Sequence, residues 1–414
     1  MAAALALPII AIPVIVVAQT SDPLPAASAA ASSASSSASS SAPAQSSPSL
    51  LPPGAVIGLR SLWYREDGNR MKITEPVLWF RLPIGQSWEL GASATVDMVS
   101  GASPIVVSNS SGKPVQIYTG ASITDRREAG DINLTRKYGA GNENTIGVSI
   151  ATSNEKDYDS NAAGINATFD FNERNTTLAL GLGQRRDRVM SVTDPDLNEA
   201  RNANEFLVGV TQLIDRHTLV QSNIVVTQLR GYLNDPYKST FSFYRDGRTP
   251  LAIFARDQRP DSRNQIAWLT RAKRALPSAD AVVSAEYRFY RDSWGISAHS
   301  VAGAWLQTLN ENVQVEAGLR YYSQSPADFY RAEITARPTL VSPLGFTSSD
   351  QRLAGFGAVE PSVKVIVKLT DALTLDIGFS RYMQRSAWKL NGGGSNAFEA
   401  INARSITGGI VWKF

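Results

Sequence analysis

The sequence predicts an all-β protein, a transmembrane antiparallel up-and-down β-barrel of about sixteen strands. Three observations predict it. From Ala55 onward, short runs alternate apolar and polar residues with period two. The connections between those runs alternate between tight polar turns and longer, variable segments. The last ten residues, Ser405 to Phe414, form one more such strand, with Ile406, Ile410, Trp412 and Phe414 on one parity and Ser405, Thr407, Gly409 and Lys413 on the other.

Composition excludes several alternatives. The 414 residues include no cysteine and 2 histidines, His217 and His299, which leaves no disulfide, thiolate metal site or c-type haem attachment and little for a histidine-based metal site. With 40 basic and 37 acidic residues the net charge is +3, without the clustered basic face of a nucleic-acid binder, so no nucleic-acid partner is expected. No cofactor and no metal is expected either. After the N-terminal segment no stretch approaches the roughly 20 apolar residues of a membrane helix, a test a barrel passes unseen because only alternate residues face lipid.

In chain order, residues 1–18 read as a signal peptide, apolar from Ala2 to Ala18 with small residues before a cut after Ala18. Residues 19–53 are nearly all Ser, Ala and Pro, too poor in apolar surface to offset chain entropy, and read as a disordered periplasmic linker. Residues 54–414 read as the barrel. Strands are expected to begin near 55, 70, 87, 130, 143, 160, 175, 203, 217, 262, 280, 295, 312, 351, 372 and 400. The tight turns include Pro83–Gln86, Gly139–Asn142 and Asn172–Asn175. The long connections are Ser100–Gly130, Asp187–Arg201, Gly231–Pro260 and Ser325–Ser349. Outer-membrane barrels sort their connections this way, with short turns on the periplasmic side. An even strand count places both chain ends there.

Alternation is clearest in the second half. Leu373, Leu375, Ile377 and Phe379 oppose Thr374, Asp376, Gly378 and Ser380; Val363, Val365 and Val367 oppose Ser362, Lys364 and Lys368. No charge falls on these apolar rows, where one at mid-depth would cost about 2–4 kcal/mol. Aromatic residues at strand ends (Trp63, Tyr64, Trp79, Phe80, Trp88, Tyr321, Tyr382, Trp412, Phe414) suit interfacial girdles. The polar rows supply a candidate lumen lining: Arg185, Glu286, Arg288, Glu316, Arg320, Lys364, Lys368 and Asp376.

Several stretches carry a family resemblance: Thr74-Glu75-Pro76, Ser100–Pro104, Thr124-Asp125-Arg126-Arg127-Glu128, Tyr232–Lys238 around Asp235 and Tyr237, Leu319–Ser325 followed by Ala327-Asp328-Phe329-Tyr330, and Ser348-Ser349-Asp350-Gln351-Arg352-Leu353. Together, over roughly Trp63 to Phe414, they resemble a family of proteobacterial outer-membrane barrels classed as a domain of unknown function. The resemblance implies the fold and the outer membrane and carries no activity. Ile410, Trp412 and Phe414 likewise resemble the final-strand signal that the barrel-assembly machinery reads. Asp125, Arg126, Arg127, Asp235, Tyr237, Asp328, Tyr330, Asp350 and Arg352 are therefore candidate outer-loop residues, as loop order or as a ligand surface.

The expected function is a channel or export pore for polar solutes, since about sixteen strands leave an aqueous lumen. The alternative is a plugged barrel serving as scaffold or receptor for a periplasmic or surface partner. An enzyme is not expected: Ala298-His299-Ser300 puts its His and Ser on opposite faces of a strand. Asp194, Asp196, Asn198 and Glu205 have the spacing of a calcium loop, but Glu199 stands where that loop needs glycine.

Overall fold

The computed structural model describes residues 51–414 apart from 102–103, 111–112, 119–122, 247–248, 333–344 and 397. The expected signal peptide and nearly all of the linker lie outside the described residues. Twenty strands follow in order: β1 (Val56–Glu66), β2 (Met71–Ile84), β3 (Trp88–Gly101), β4 (Pro104–Ser110), β5 (Lys113–Tyr118), β6 (Ile123–Tyr138), β7 (Asn144–Asn154), β8 (Tyr158–Phe171), β9 (Thr176–Met190) and β10 (Asn198–Asp215). Then come β11 (Thr218–Gly231), β12 (Ser239–Asp246), β13 (Thr249–Arg256), β14 (Ser262–Leu276), β15 (Ala281–Asp292), β16 (Ser297–Asn310), β17 (Val313–Gln324), β18 (Phe356–Lys368), β19 (Leu373–Arg385) and β20 (Ile401–Lys413).

Sixteen of them close a barrel in sequence order, each antiparallel to the next, and β4–β5 and β12–β13 are separate hairpins within two long connections. Closure runs from Val56↔Lys413 to Glu66↔Ala403. It continues past the strand end through Gly54 N to Phe414 O (2.7 Å) and Phe414 N to Ala55 O (2.9 Å). The start of β1 and the end of β20 therefore share one mouth, the turn end. The opposite mouth, the loop end, carries the longer connections 191–197, 232–261, 325–355 and 386–400.

Alternation decides which face meets what. Large apolar side chains point outward and stand exposed on nearly every barrel strand, among them Leu59, Leu78, Ile132, Val148, Leu182, Val208, Leu319, Val363 and Ile377. A belt of that extent around a closed sheet belongs in hydrocarbon. Trp412 and Phe414 stack in parallel with ring centroids 5.2 Å apart on that outer face. Tyr64, Trp79 and Tyr382 correct the girdle expectation: all three point inward, Trp79 lying over Gly58 on the neighbouring strand and Tyr64 packing with Ile73, Val99 and Ala403, with Tyr382 against that cluster.

Three strands begin away from where alternation puts them. β6 starts at Ile123 rather than near 130, β10 at Asn198 rather than near 203, and β18 at Phe356 rather than near 351. The extra residues of β6 are charged on both faces, so no period shows, yet the backbone still pairs with β3 from Gly101↔Ile123 to Trp88↔Arg136. Asp125, Arg126 and Arg127 thus lie on a strand extension, not in a loop.

The outward face carries a stability prediction. Leu319→Arg should lower the unfolding free energy in lipid vesicles by about 2–4 kcal/mol. The same change at inward-facing Thr407 should cost measurably less in the same urea titration.

Candidate functional site

Two polar sites lie inside the barrel outline, a charge ladder on the inner wall and a packed core at the loop end. The ladder forms because inward positions on neighbouring strands fall side by side in register. Arg271 donates to Glu286 through Nε (2.9 Å) and Nη2 (2.5 Å) across β14–β15. Arg320 donates to Glu360 (2.5 Å) across β17–β18, and Ser380 Oγ donates to the other oxygen of Glu360 (3.0 Å). Asp376 lies 3.8 Å from both Lys364 and Arg60. Arg185 (3.1 Å) and Arg201 (2.8 Å) share the buried Asp187, which also accepts from Ser160 (2.8 Å). Higher up, Arg263 donates to Asp292 (2.9 Å by Nε) and lies over the Trp294 ring, 4.2 Å from its centroid.

Seven of the eight candidate lumen residues take inward positions within this wall. Arg185, Glu286, Arg320, Lys364 and Asp376 belong to the pairs of the ladder. Arg288 lies on the same row as Ser300 and Tyr322, and Glu316 borders a recess between β14 and β18. Lys368 does not join them: it is exposed at the turn-end rim and pairs with Asp371 at 2.6 Å. Arg60, Arg271, Asp187, Arg201 and Glu360 escaped the sequence reading, because a partner is assigned only once strand register is known.

The loop-end core gathers the stretches that carry the family resemblance. Trp294 packs edge-on against Phe329 (5.2 Å), and Phe356 stacks on Phe398 (5.0 Å). With Tyr330, Leu353 and Ala354 they bury against the inward residues Ala203, Leu229, Ala298, Tyr322 and Ala358. Backbone pairs stitch the loops: Asp328 N to Trp294 O (2.8 Å), Ala327 N to Leu353 O (2.8 Å), and Gln258 with Thr347 in both directions (3.0 and 2.7 Å). Gly295, at φ +86°, meets the Asp328 carboxylate so closely that any Cβ would collide with it.

At the centre is an ionic cluster. Asp350 accepts from Arg352 Nε (2.7 Å), from Arg352 N (3.0 Å) and from Arg259 Nη2 (2.9 Å). Arg352 also bridges to Asp235, and Arg259 donates to Asp257 (2.5 Å). The Asp350 side chain is 2% exposed and that of Arg259 is 9% exposed. Burial works to raise the Asp350 carboxyl, but Arg352, Arg259 and Lys238 outweigh it and hold it well below the usual carboxylate range. Asp235 is likewise held low by Arg352, Lys238 and Arg259 against its burial. Asp257 moves the other way, its burial outweighing Arg259.

Tyr237 ties this cluster to the far side of the mouth, its hydroxyl donating to Asp157 and accepting from Val192 N (2.9 Å). Burial and that bond to Asp157 push it up to about 12. Ligand oxygens of Asp157, Asp125 and Glu155 lie within 4.8 Å of one another, and this is the group of described residues that could share a cation. The calcium-loop spacing does not assemble: Asp194 pairs with Arg256 (2.9 Å), while Glu205 faces inward beside Thr227 (3.4 Å). His299 sits at the loop end of β16 against Tyr287, ring nitrogen to hydroxyl 2.9 Å, and the adjacent Ser300 is buried on the opposite face.

Asp235, Tyr330, Asp350 and Arg352 thus meet in one core, Asp328 stands exposed at its edge over the Gly295 turn, Tyr237 and Asp125 reach its neighbouring acidic group, and Arg126 pairs outside both with Glu128 (2.8 Å). Residues 23–405 match the family described as Protein of unknown function (DUF3570). The chain belongs to this family. No curated protein matches it in sequence. Among solved structures it is similar to a bacterial polysaccharide outer membrane secretin (8% identity, TM-score 0.46, 87% of this chain and 98% of that one). It is similar also to the CymD monoaromatic hydrocarbon channel (8%, 0.42, 88% and 89%). A third is a mutant ferric enterobactin receptor (PfeA) from Pseudomonas aeruginosa (11%, 0.43, 87% and 59%). What those proteins move or bind is said of them alone.

The cluster carries a pH prediction. A carboxyl with a depressed native pKa contributes its full stabilisation above the unfolded value of about 3.9, and loses it as pH falls below that toward the native value. Asp257, raised by burial, can only add stability as pH falls, so hydrogen exchange across 326–332 and 345–354, corrected for intrinsic rate, should not speed up between pH 7 and pH 5. Asp350→Asn leaves Arg259 and Arg352 without their shared acceptor and should cost about 3 kcal/mol. It should speed exchange there roughly a hundredfold at neutral pH.

Proposed function

We propose that this outer-membrane barrel is a narrow channel for small polar solutes, with no catalytic role, its loop-end mouth constricted by the packed core. One observation carries the reading: below that core the inner wall keeps a recess of about 450 Å³ lined by Arg271, Lys273, Glu286, Glu316, Arg320 and Glu360. Charged side chains facing a closed apolar filling would carry a large desolvation cost, whereas facing water they cost little. A sixteen-strand barrel is wide enough to hold that water. In this reading the turn end with both barrel termini faces the periplasm, and Ile410, Trp412 and Phe414 serve assembly of the barrel by its insertion machinery.

The purified barrel in a planar bilayer should give a steady, small conductance in potassium chloride that falls further in a salt of a bulky anion. Asp350→Asn, by loosening the core, should raise conductance or make it flicker between levels. A folded, heat-modifiable barrel that stays silent in both forms would overturn the channel and leave the scaffold reading in its place.

A further inference from the structure

The recess in the inner wall has a shape and a charge arrangement that bear on the class of solute, an inference that rests on the channel reading. Its floor is one register row, Lys273, Ser284, Ala304, Gly318 and Ser362, running across β14 to β18. Small side chains along that row sink the wall, and a Cβ at Gly318 would already crowd Ser362 Oγ at 2.7 Å. The row on the loop-end side holds Arg271–Glu286 and Arg320–Glu360 with Ala302 between the two pairs. The row on the turn-end side holds Glu316.

The two Arg–Glu pairs are closed on themselves. Two groups bordering the recess are not: among the described residues neither Lys273 nor Glu316 makes an ion pair. Lys364, directly opposite Glu316 in register, lies instead 3.8 Å from Asp376. Lys273 and Glu316 stand three strands and one inward row apart, roughly 16 Å between backbones, with the floor of small residues between them. An unpaired cation and an unpaired carboxylate at opposite ends of one recess match a solute with an acid group at one end and an amino group at the other. Each would gain a charge-assisted hydrogen bond that bulk ions supply only transiently. A neutral polyol of the same size has no counterpart for either end.

We propose that this recess is a subsite for small zwitterionic solutes of amino-acid to dipeptide size, Lys273 receiving the carboxylate and Glu316 the ammonium. Saturation-transfer NMR on the detergent-solubilised barrel, with glycylglycine as probe and erythritol as control, reads the subsite without needing transport. Glycylglycine should show transfer and erythritol should not, and Lys273→Gln or Glu316→Gln, each checked for the heat-modifiable band of a folded barrel, should weaken the half-saturating concentration at least fivefold. Equal transfer to both probes, or variants that bind as the parent does, would overturn the subsite. Bilayer currents recorded alongside separate the two readings. Binding by a silent barrel retires the channel and keeps the subsite, while current that glycylglycine leaves unblocked, with no transfer, retires the subsite and keeps the channel.

Discussion

In hydrocarbon an unpaired backbone amide or carbonyl has no water to bond, and each one costs several kcal/mol. A sheet can cross a membrane only if it has no edge. Here that condition falls on the seam between β1 and β20, the two barrel strands farthest apart in sequence, paired along the whole of β1 and locked beyond it by Gly54 and Ala55 bonding to Phe414. All other pairs join strands that follow one another around the barrel, so the seam is the step with the largest loop-closure entropy. Once it is made, inward and outward positions are fixed on every strand, because a slip of one residue would put a whole polar row into lipid.

That fixed alternation explains why the interior looks as it does. The outward rows are free to be plainly apolar, so the polar and charged residues of the membrane-spanning strands collect on the inner wall. There, register pairs such as Arg271–Glu286 and Arg320–Glu360 hold each other at hydrogen-bond distance. The loop-end cluster obeys a different balance. Asp350 and Arg259 are almost wholly buried, where an isolated charge is costly and only mutual pairing makes burial tolerable. Three acids, Asp235, Asp257 and Asp350, meet three bases, Lys238, Arg259 and Arg352, so the cluster is neutral as a unit. The exposed Lys368–Asp371 pair at the turn end, by contrast, contributes little.

Much of this was legible in the sequence. Period-two alternation located all sixteen barrel strands, because a lipid belt tolerates no exceptions at mid-depth and the pattern is therefore clean on β17, β18 and β19. Legibility failed where that constraint lifts. The first residues of β6 stand beyond the apolar belt, so Asp125, Arg126 and Arg127 read as loop although their backbone pairs with β3. Tyr64, Trp79 and Tyr382 read as girdle residues because period alone cannot tell a row facing lipid from one facing the interior. The loop core was half visible. Asp235, Asp350 and Arg352 stood out in charged motifs, but their meeting point, and the part of Arg259 and Asp257 in it, depends on the fold of connections that have no period at all.

The same separation of constraints bears on function. The loop core is anchored on inward residues of the wall, Tyr322, Ala298 and Ala358 among them, through apolar contact, and is clipped across its own loops by charge. The recess beneath it is framed by pairs of another kind, short and local to neighbouring strands. Removing a charge from the clip therefore loosens the mouth without changing the chemistry of the wall, and removing Lys273 or Glu316 changes the wall without touching the clip. In the proposed channel, access and selectivity would be carried by different residues on different elements, so a change in one would leave the other to be read on its own.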